Sequence, residues 1–154
     1  MDCVGIDDVD YMVQSFVDGQ KIRAYFNSHS YCVRPSIRLF RKWLTRFEKL
    51  ACNKAYQTQF CSDELHRIFL HQAVLSALTV AMIQPERIEI LPATYSYPYN
   101  LQKSVPTASR AAEMNQLVSV VYESLSLDPD RIEGLEIQEP LRSWLAKRIR
   151  IRSE

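Results

Sequence analysis

The chain reads as an α/β protein, a small mixed sheet packed with amphipathic helices. Two observations predict it. Short runs of β-forming residues bounded by turn residues recur at 22–26, 31–34, 87–91 and 117–122, and apolar residues at helical spacing run through 37–51 and 62–83. The two kinds of segment alternate along the chain, which is the pattern of α/β or α+β folds. At 154 residues the length suits one domain. Residues 1–154 are therefore read as a single domain with an acidic segment over 1–18, a middle region over 19–123, and a C-terminal helix with a basic tail over 124–154.

In order, 3–6 suggests a short strand entering the acidic turn Asp7-Asp8-Val9-Asp10. Asp18-Gly19 is a turn dipeptide. The segments 22–26 and 31–34 read as two strands flanking the irregular turn Asn27-Ser28-His29-Ser30. Pro35-Ser36 opens a helix with Ser36 as its cap. There Ile37, Phe40, Trp43, Leu44, Phe47, Leu50 and Ala51 recur at three and four, leaving Arg38, Arg41, Lys42, Arg46 and Lys49 to the remaining surface. Ser62-Asp63-Glu64 starts a second helix that reaches about Ile83 and is apolar nearly all round from Phe69, the pattern of a helix covered on most sides. A strand follows at 87–91, then an aromatic loop over 93–105, a short helix over 107–114 and a buried strand at 117–122. Asp128-Pro129-Asp130 is a turn, and Glu139-Pro140 opens the last helix, with Leu141, Trp144, Leu145 and Ile149 on one side.

Composition removes several classes. With 47% hydrophobic and 24% charged residues the chain is neither disordered nor a disulfide miniprotein. Three glycines, Gly5, Gly19 and Gly134, can write neither a Walker-type phosphate loop nor a GxGxxG turn. The net charge of +1 argues against a nucleic-acid platform, but its distribution is uneven. Residues 1–20 hold five acids and no base, whereas residues 21–54 hold nine bases and only Glu48 as an acid. Cys3, Cys32, Cys52 and Cys61 form no CxxC pair and no leader-like segment is present, so a reduced, cytoplasmic setting is expected. The apolar stretch 68–83 is broken by His71, Gln72 and Ser76 and is shorter than the ~20 residues of a membrane span, so no crossing is expected.

Few residues suggest chemistry. Asp8 and Asp10 on one extended segment offer hard oxygen ligands of the kind Mg²⁺ or Mn²⁺ prefers, although a solvated acidic turn explains them as well. His66 and His71 are five residues apart, on different helix faces, which argues against a zinc site with Cys61 and Asp63. His71-Gln72 inside an apolar helix must find hydrogen-bond partners, and that marks the pair out. No serine, cysteine or histidine falls into a nucleophile motif.

Three stretches carry a resemblance. Val17-Asp18-Gly19-Gln20-Lys21-Ile22-Arg23-Ala24-Tyr25-Phe26-Asn27-Ser28, followed by Tyr31-Cys32-Val33-Arg34-Pro35 and Leu39-Phe40-Arg41-Lys42-Trp43, resembles a segment of GT-A-type glycosyltransferases, the nucleotide-diphosphosugar transferases. Phe69-Leu70-His71-Gln72-Ala73-Val74-Leu75-Ser76 resembles a later helix of that family, and Leu91-Pro92 with Tyr95-Ser96-Tyr97-Pro98 resembles the stretch after it. The order agrees over roughly residues 17–123. The resemblance implies the C-terminal, acceptor-side half of a GT-A fold, with sugar- and acceptor-binding residues Asn27, His71, Gln72 and Tyr97, and with Asp63 second in rank. It also implies that the nucleotide-binding half lies elsewhere, because Asp10 is only seventeen residues before Asn27. His29 stands at the turn's usual glycine and His71 at a usual aspartate.

Two functions follow as expectations. The first is a glycosyltransferase-like protein or fragment, inactive by itself, that meets a nucleotide sugar or carbohydrate acceptor and uses Mn²⁺ or Mg²⁺ only together with the other half. The alternative is a non-enzymatic interaction module with a basic helix face, which binds a protein partner or a second copy of itself.

Overall fold

The computed structural model describes residues 11–120 and 135–150. Over these residues the protein mixes helix and strand: four α-helices, several single 3₁₀ turns, and one two-stranded antiparallel sheet. The chain forms two compact units. One holds the described residues up to Gln14 together with Lys21–Glu89, and the other holds Ser15–Gln20 with the described residues from Ile90 onward.

In the first unit, strand β1 (Met12–Gln14) pairs with β2 (Lys21–Arg23), Val13 opposite Ile22. The predicted Asp18-Gly19 turn, which belongs to the second unit, is present. Gly19 takes φ 70°, open to a residue without Cβ, and the Asp18 carboxylate accepts the Gln20 N–H at 3.2 Å. The expected strand at 31–34 is not formed, and the expected strand at 22–26 shortens to β2. From Phe26 onward the chain bonds to a helix instead of a neighbouring strand: the Phe26 N–H donates to Ser76 Oγ at 2.8 Å, and the Tyr31 hydroxyl meets Thr79 Oγ1 at 2.9 Å.

Helix α1 (Leu39–Ala51) follows a 3₁₀ turn at Pro35–Ile37. Ser36 is not its cap; Arg38, at φ 56°, makes the joint between the two. Helix α2 (Lys54–Phe60), absent from the sequence reading, is capped by Asn53, whose Oδ1 accepts the Tyr56 N–H at 3.0 Å. Helix α3 (Glu64–Met82) starts where expected, at an Asp63 cap. Its length and apolarity meet those of a membrane-crossing helix, and seven of its residues are buried, from Leu70 to Thr79.

Leu39 and Leu50 of α1 pack with Leu70, Val74, Leu75 and Leu78 of α3, and Trp43, Phe47, Tyr56 and Phe60 close around them. Each fully buried aliphatic side chain contributes roughly 1.5–3 kcal/mol. The Trp43 indole N–H donates to the His71 carbonyl oxygen at 2.9 Å, which fixes the height at which α1 meets α3.

In the second unit, Tyr97, Tyr99, Met114, Leu135, Ile137 and Leu145 form the core, and Phe16 packs edge-on to Tyr97 with ring centroids 5.8 Å apart. Tyr97 is 1% exposed. Its hydroxyl donates to Gln102 Oε1 and accepts the Ala111 N–H at 3.0 Å, while Gln102 Nε2 donates to the Ala111 carbonyl at 2.8 Å. The triangle pins the aromatic loop, much of which winds as a 3₁₀ segment at Tyr99–Ser104.

The strand expected at 87–91 is replaced at its start by a 3₁₀ turn at Pro85–Arg87, which takes the Arg87 and Ile88 amides. The helix expected over 107–114 is two separate 3₁₀ turns, Thr107–Ser109 and Met114–Gln116. Of the strand expected at 117–122, the described part makes a single parallel bridge, Tyr97 to Val120. The strand read at 3–6 and the turn at 128–130 lie outside the described residues. Helix α4 (Leu141–Arg150) follows Glu139-Pro140 as expected, and the Glu139 carboxylate accepts from the Ser143 amide and hydroxyl.

Candidate functional site

The Asn27 turn and the start of the 71–72 pair come together: Ser28 Oγ lies 3.4 Å from His71 Nε2, and His71 Nδ1 donates to the Ile68 carbonyl at 2.7 Å. Asn27 itself is exposed and turned back on its own loop, its Oδ1 accepting the His29 N–H at 3.0 Å. Gln72 is buried. Asp63 stands eight residues before His71, about 12 Å along the axis of α3 at 1.5 Å per residue. Tyr97 belongs to the second unit, where its hydroxyl is fully engaged. Asp8 and Asp10 lie outside the described residues. Among the described residues no three His, Cys, Asp or Glu side chains gather into a metal-binding group.

Asp63 and His66 form a pair at the mouth of α3. The Asp63 carboxylate accepts the His66 backbone N–H at 2.9 Å and also meets His66 Nδ1. These two hydrogen bonds, the backbone one first, hold the Asp63 carboxyl below its ordinary value of 3.8.

Among the described residues, the first unit carries an open groove of about 480 Å³, within the ~300–1,000 Å³ typical of ligand sites. Tyr25 contributes one wall, Tyr56 and Phe60 of α2 a second, and Leu65, Phe69, Leu70 and Ala73 of α3 a third, with Cys61 and His66 also on its lining. Helical spacing builds it. Tyr56 and Phe60 are four apart on one side of α2, their rings 5.1 Å apart, and Leu65, Phe69 and Ala73 follow one another at four along α3. Leu65 is 66% exposed and Phe69 40%, with Ile68 of the same turns at 50%. Partial burial alone raises the Tyr25 phenol above its ordinary 10.0.

From Leu70 onward α3 is largely covered, as its apolar pattern predicts, whereas Phe69 itself and the turns before it keep their large side chains exposed. The residues that sequence reasoning missed are those of α2. The signal for them was present in Asn53 as a cap three residues before Tyr56, with Phe60 a turn further on.

No family model matches this chain, and no curated protein or solved structure is significantly similar to it.

Proposed function

We propose that the protein is a non-enzymatic interaction module whose first unit receives apolar side chains of a protein partner in the groove between α2, α3 and Tyr25. The observation that carries this reading is the exposure of Leu65 and Phe69 on the rim of an aromatic-walled groove. Large apolar side chains gathered around a concavity mark contact sites more often than isolated exposed ones do. Aromatic anchors in such pockets supply much of the binding energy of interfaces. His66 is the one imidazole on the lining, and its Nδ1 is committed to Asp63, so the site offers chiefly apolar contact.

The test is selection of a displayed peptide library on the immobilised full chain. Enriched peptides should share two or three apolar anchors and lose binding to a Leu65→Glu, Phe69→Glu variant. Peptides indifferent to that variant would remove the reading.

A second reading, the acceptor side of a GT-A-type glycosyltransferase, is supported by the Ser28–His71 contact, which joins two of the resembling stretches. It calls for titration with nucleoside-diphosphate sugars and Mn²⁺. Saturable binding lost in an Asn27→Ala variant would favour it over the module.

A further inference from the structure

Helix α4 brings an exposed aromatic ring and two cations together. Trp144 is 53% exposed, and the Arg148 guanidinium carbon lies 4.9 Å from the centre of its ring. At 3.6 residues per turn, Arg148 stands about 40° round the axis from Trp144 on one side and Lys147 about 60° on the other, each no more than about 6 Å further along the helix. Both cations are exposed, and among the described residues neither takes part in an ion pair. Leu145, about 100° from Trp144, is buried in the core of the second unit, so Lys147 lies on the side away from that core. Glu139, the acid just before the helix, is engaged by the Ser143 amide and hydroxyl. Over 140–153 the sequence holds five bases and no acid, a local charge that the net value of +1 conceals.

From this arrangement we propose that the outer side of α4 binds a single strand of nucleic acid. One base would stack on the exposed part of the Trp144 indole, and the neighbouring phosphates would meet Lys147 and Arg148. Complementarity selects the occupant: a nucleotide joins a flat π-face to a negative charge, and the helix sets an indole between two cations within little more than one turn. An acidic peptide fits less well, because its carboxylates answer the cations but offer the ring no flat partner. A duplex fits less well too, since its bases cover one another's faces. A lipid surface asks for a whole apolar helix face in the acyl boundary, and here Leu141 and Leu145 are packed within the second unit. None of the groove residues takes part, so strand binding is a second function of the module.

The test uses the full chain with fluorescein-labelled oligothymidylate and oligouridylate, read by fluorescence anisotropy. Binding to either strand is expected, and it should weaken about tenfold or more as salt rises from about 0.05 to 0.5 M, the mark of phosphate contacts. Trp144→Ala should bind about fivefold or more weakly, whereas Trp144→Phe, which keeps a ring, should recover part of the loss. A Lys147→Gln, Arg148→Gln variant should also bind more weakly, its dependence on salt shallower by about 0.7 in the log–log slope for each cation removed. Circular dichroism confirms that each variant remains helical. Leu65→Glu with Phe69→Glu should leave this affinity unchanged, and a loss there would count against the proposal. Absence of binding at low salt overturns it, as does Trp144→Ala binding as tightly as the parent. Polyglutamate, duplex DNA and phosphatidylserine vesicles are offered in parallel, and equal or tighter binding to any of them overturns it as well.

Discussion

The Tyr31 hydroxyl donates to Thr79 Oγ1 across 2.9 Å, and Thr79 passes its own hydrogen to the Leu75 carbonyl at 2.8 Å. A side chain from an irregular segment thereby continues the hydrogen bonding of a buried helix. With the Phe26 N–H on Ser76, it fastens the chain after β2 to α3 without any strand pairing. Tyr31→Phe should therefore cost about 1 kcal/mol, the usual net worth of one such bond. Urea unfolding followed at Trp43, which lies in the same unit, measures it.

The same residue sets an alkaline limit. Burial raises the phenols of Tyr31 and Tyr25 above their ordinary 10.0. The folded state then holds these protons more tightly than the unfolded one. That contribution is fully present below pH 10 and is lost as pH rises through the raised values. The prediction is a fall in stability above pH 10 that is shallower in Tyr31→Phe than in the parent chain, read from urea midpoints across the range.

At the acid end, Asp63 works in the opposite sense. Its carboxyl is held below 3.8 by the His66 backbone N–H and then by the His66 ring. The stabilisation is present above 3.8 and is lost as pH falls through the lowered folded value. Asp63→Ala should loosen the first turn of α3, seen as faster amide exchange over residues 64–67, while Asp63→Asn keeps the cap at neutral pH. Equal protection in all three proteins would remove Asp63 from the capping role.

In the second unit, Tyr97→Phe removes the hydroxyl that donates to Gln102 Oε1 and accepts the Ala111 N–H. A cost of about 2 kcal/mol is expected for the loss of two hydrogen bonds at ~1 kcal/mol each. Trp144 belongs to this unit and Trp43 to the other, so single-tryptophan variants show which unit the loss strikes.

Legibility in the sequence followed the strength of local signals. Helix α3 was readable because Asp63 caps it and nineteen residues sustain an apolar pattern; α1 was readable from its three-and-four spacing, although its start was not. Ser36 resembles a cap, but Pro35 begins a 3₁₀ turn, Arg38 makes the joint, and Leu39, the first residue of α1, is buried. The segments at 31–34 and 87–91 have the composition of strands. Strands need neighbours, however, and here the side chains of α3 or a 3₁₀ turn take the nearby backbone or side-chain bonds, which local propensity does not encode. Of the candidate site, the contact between the Asn27 turn and His71 was implied by resemblance alone. The groove was hidden because α2 is only seven residues long and because exposure of Leu65 and Phe69 is a tertiary property.

The most direct measurement of the central claim is chemical-shift mapping of a library-selected peptide on the labelled full chain. The account predicts perturbations centred on Tyr25, Tyr56, Phe60, Leu65 and Phe69, abolished by Leu65→Glu with Phe69→Glu while the rest of the spectrum is unchanged. Perturbations centred on Asn27 and Gln72, or spread over the second unit with the groove silent, would contradict it.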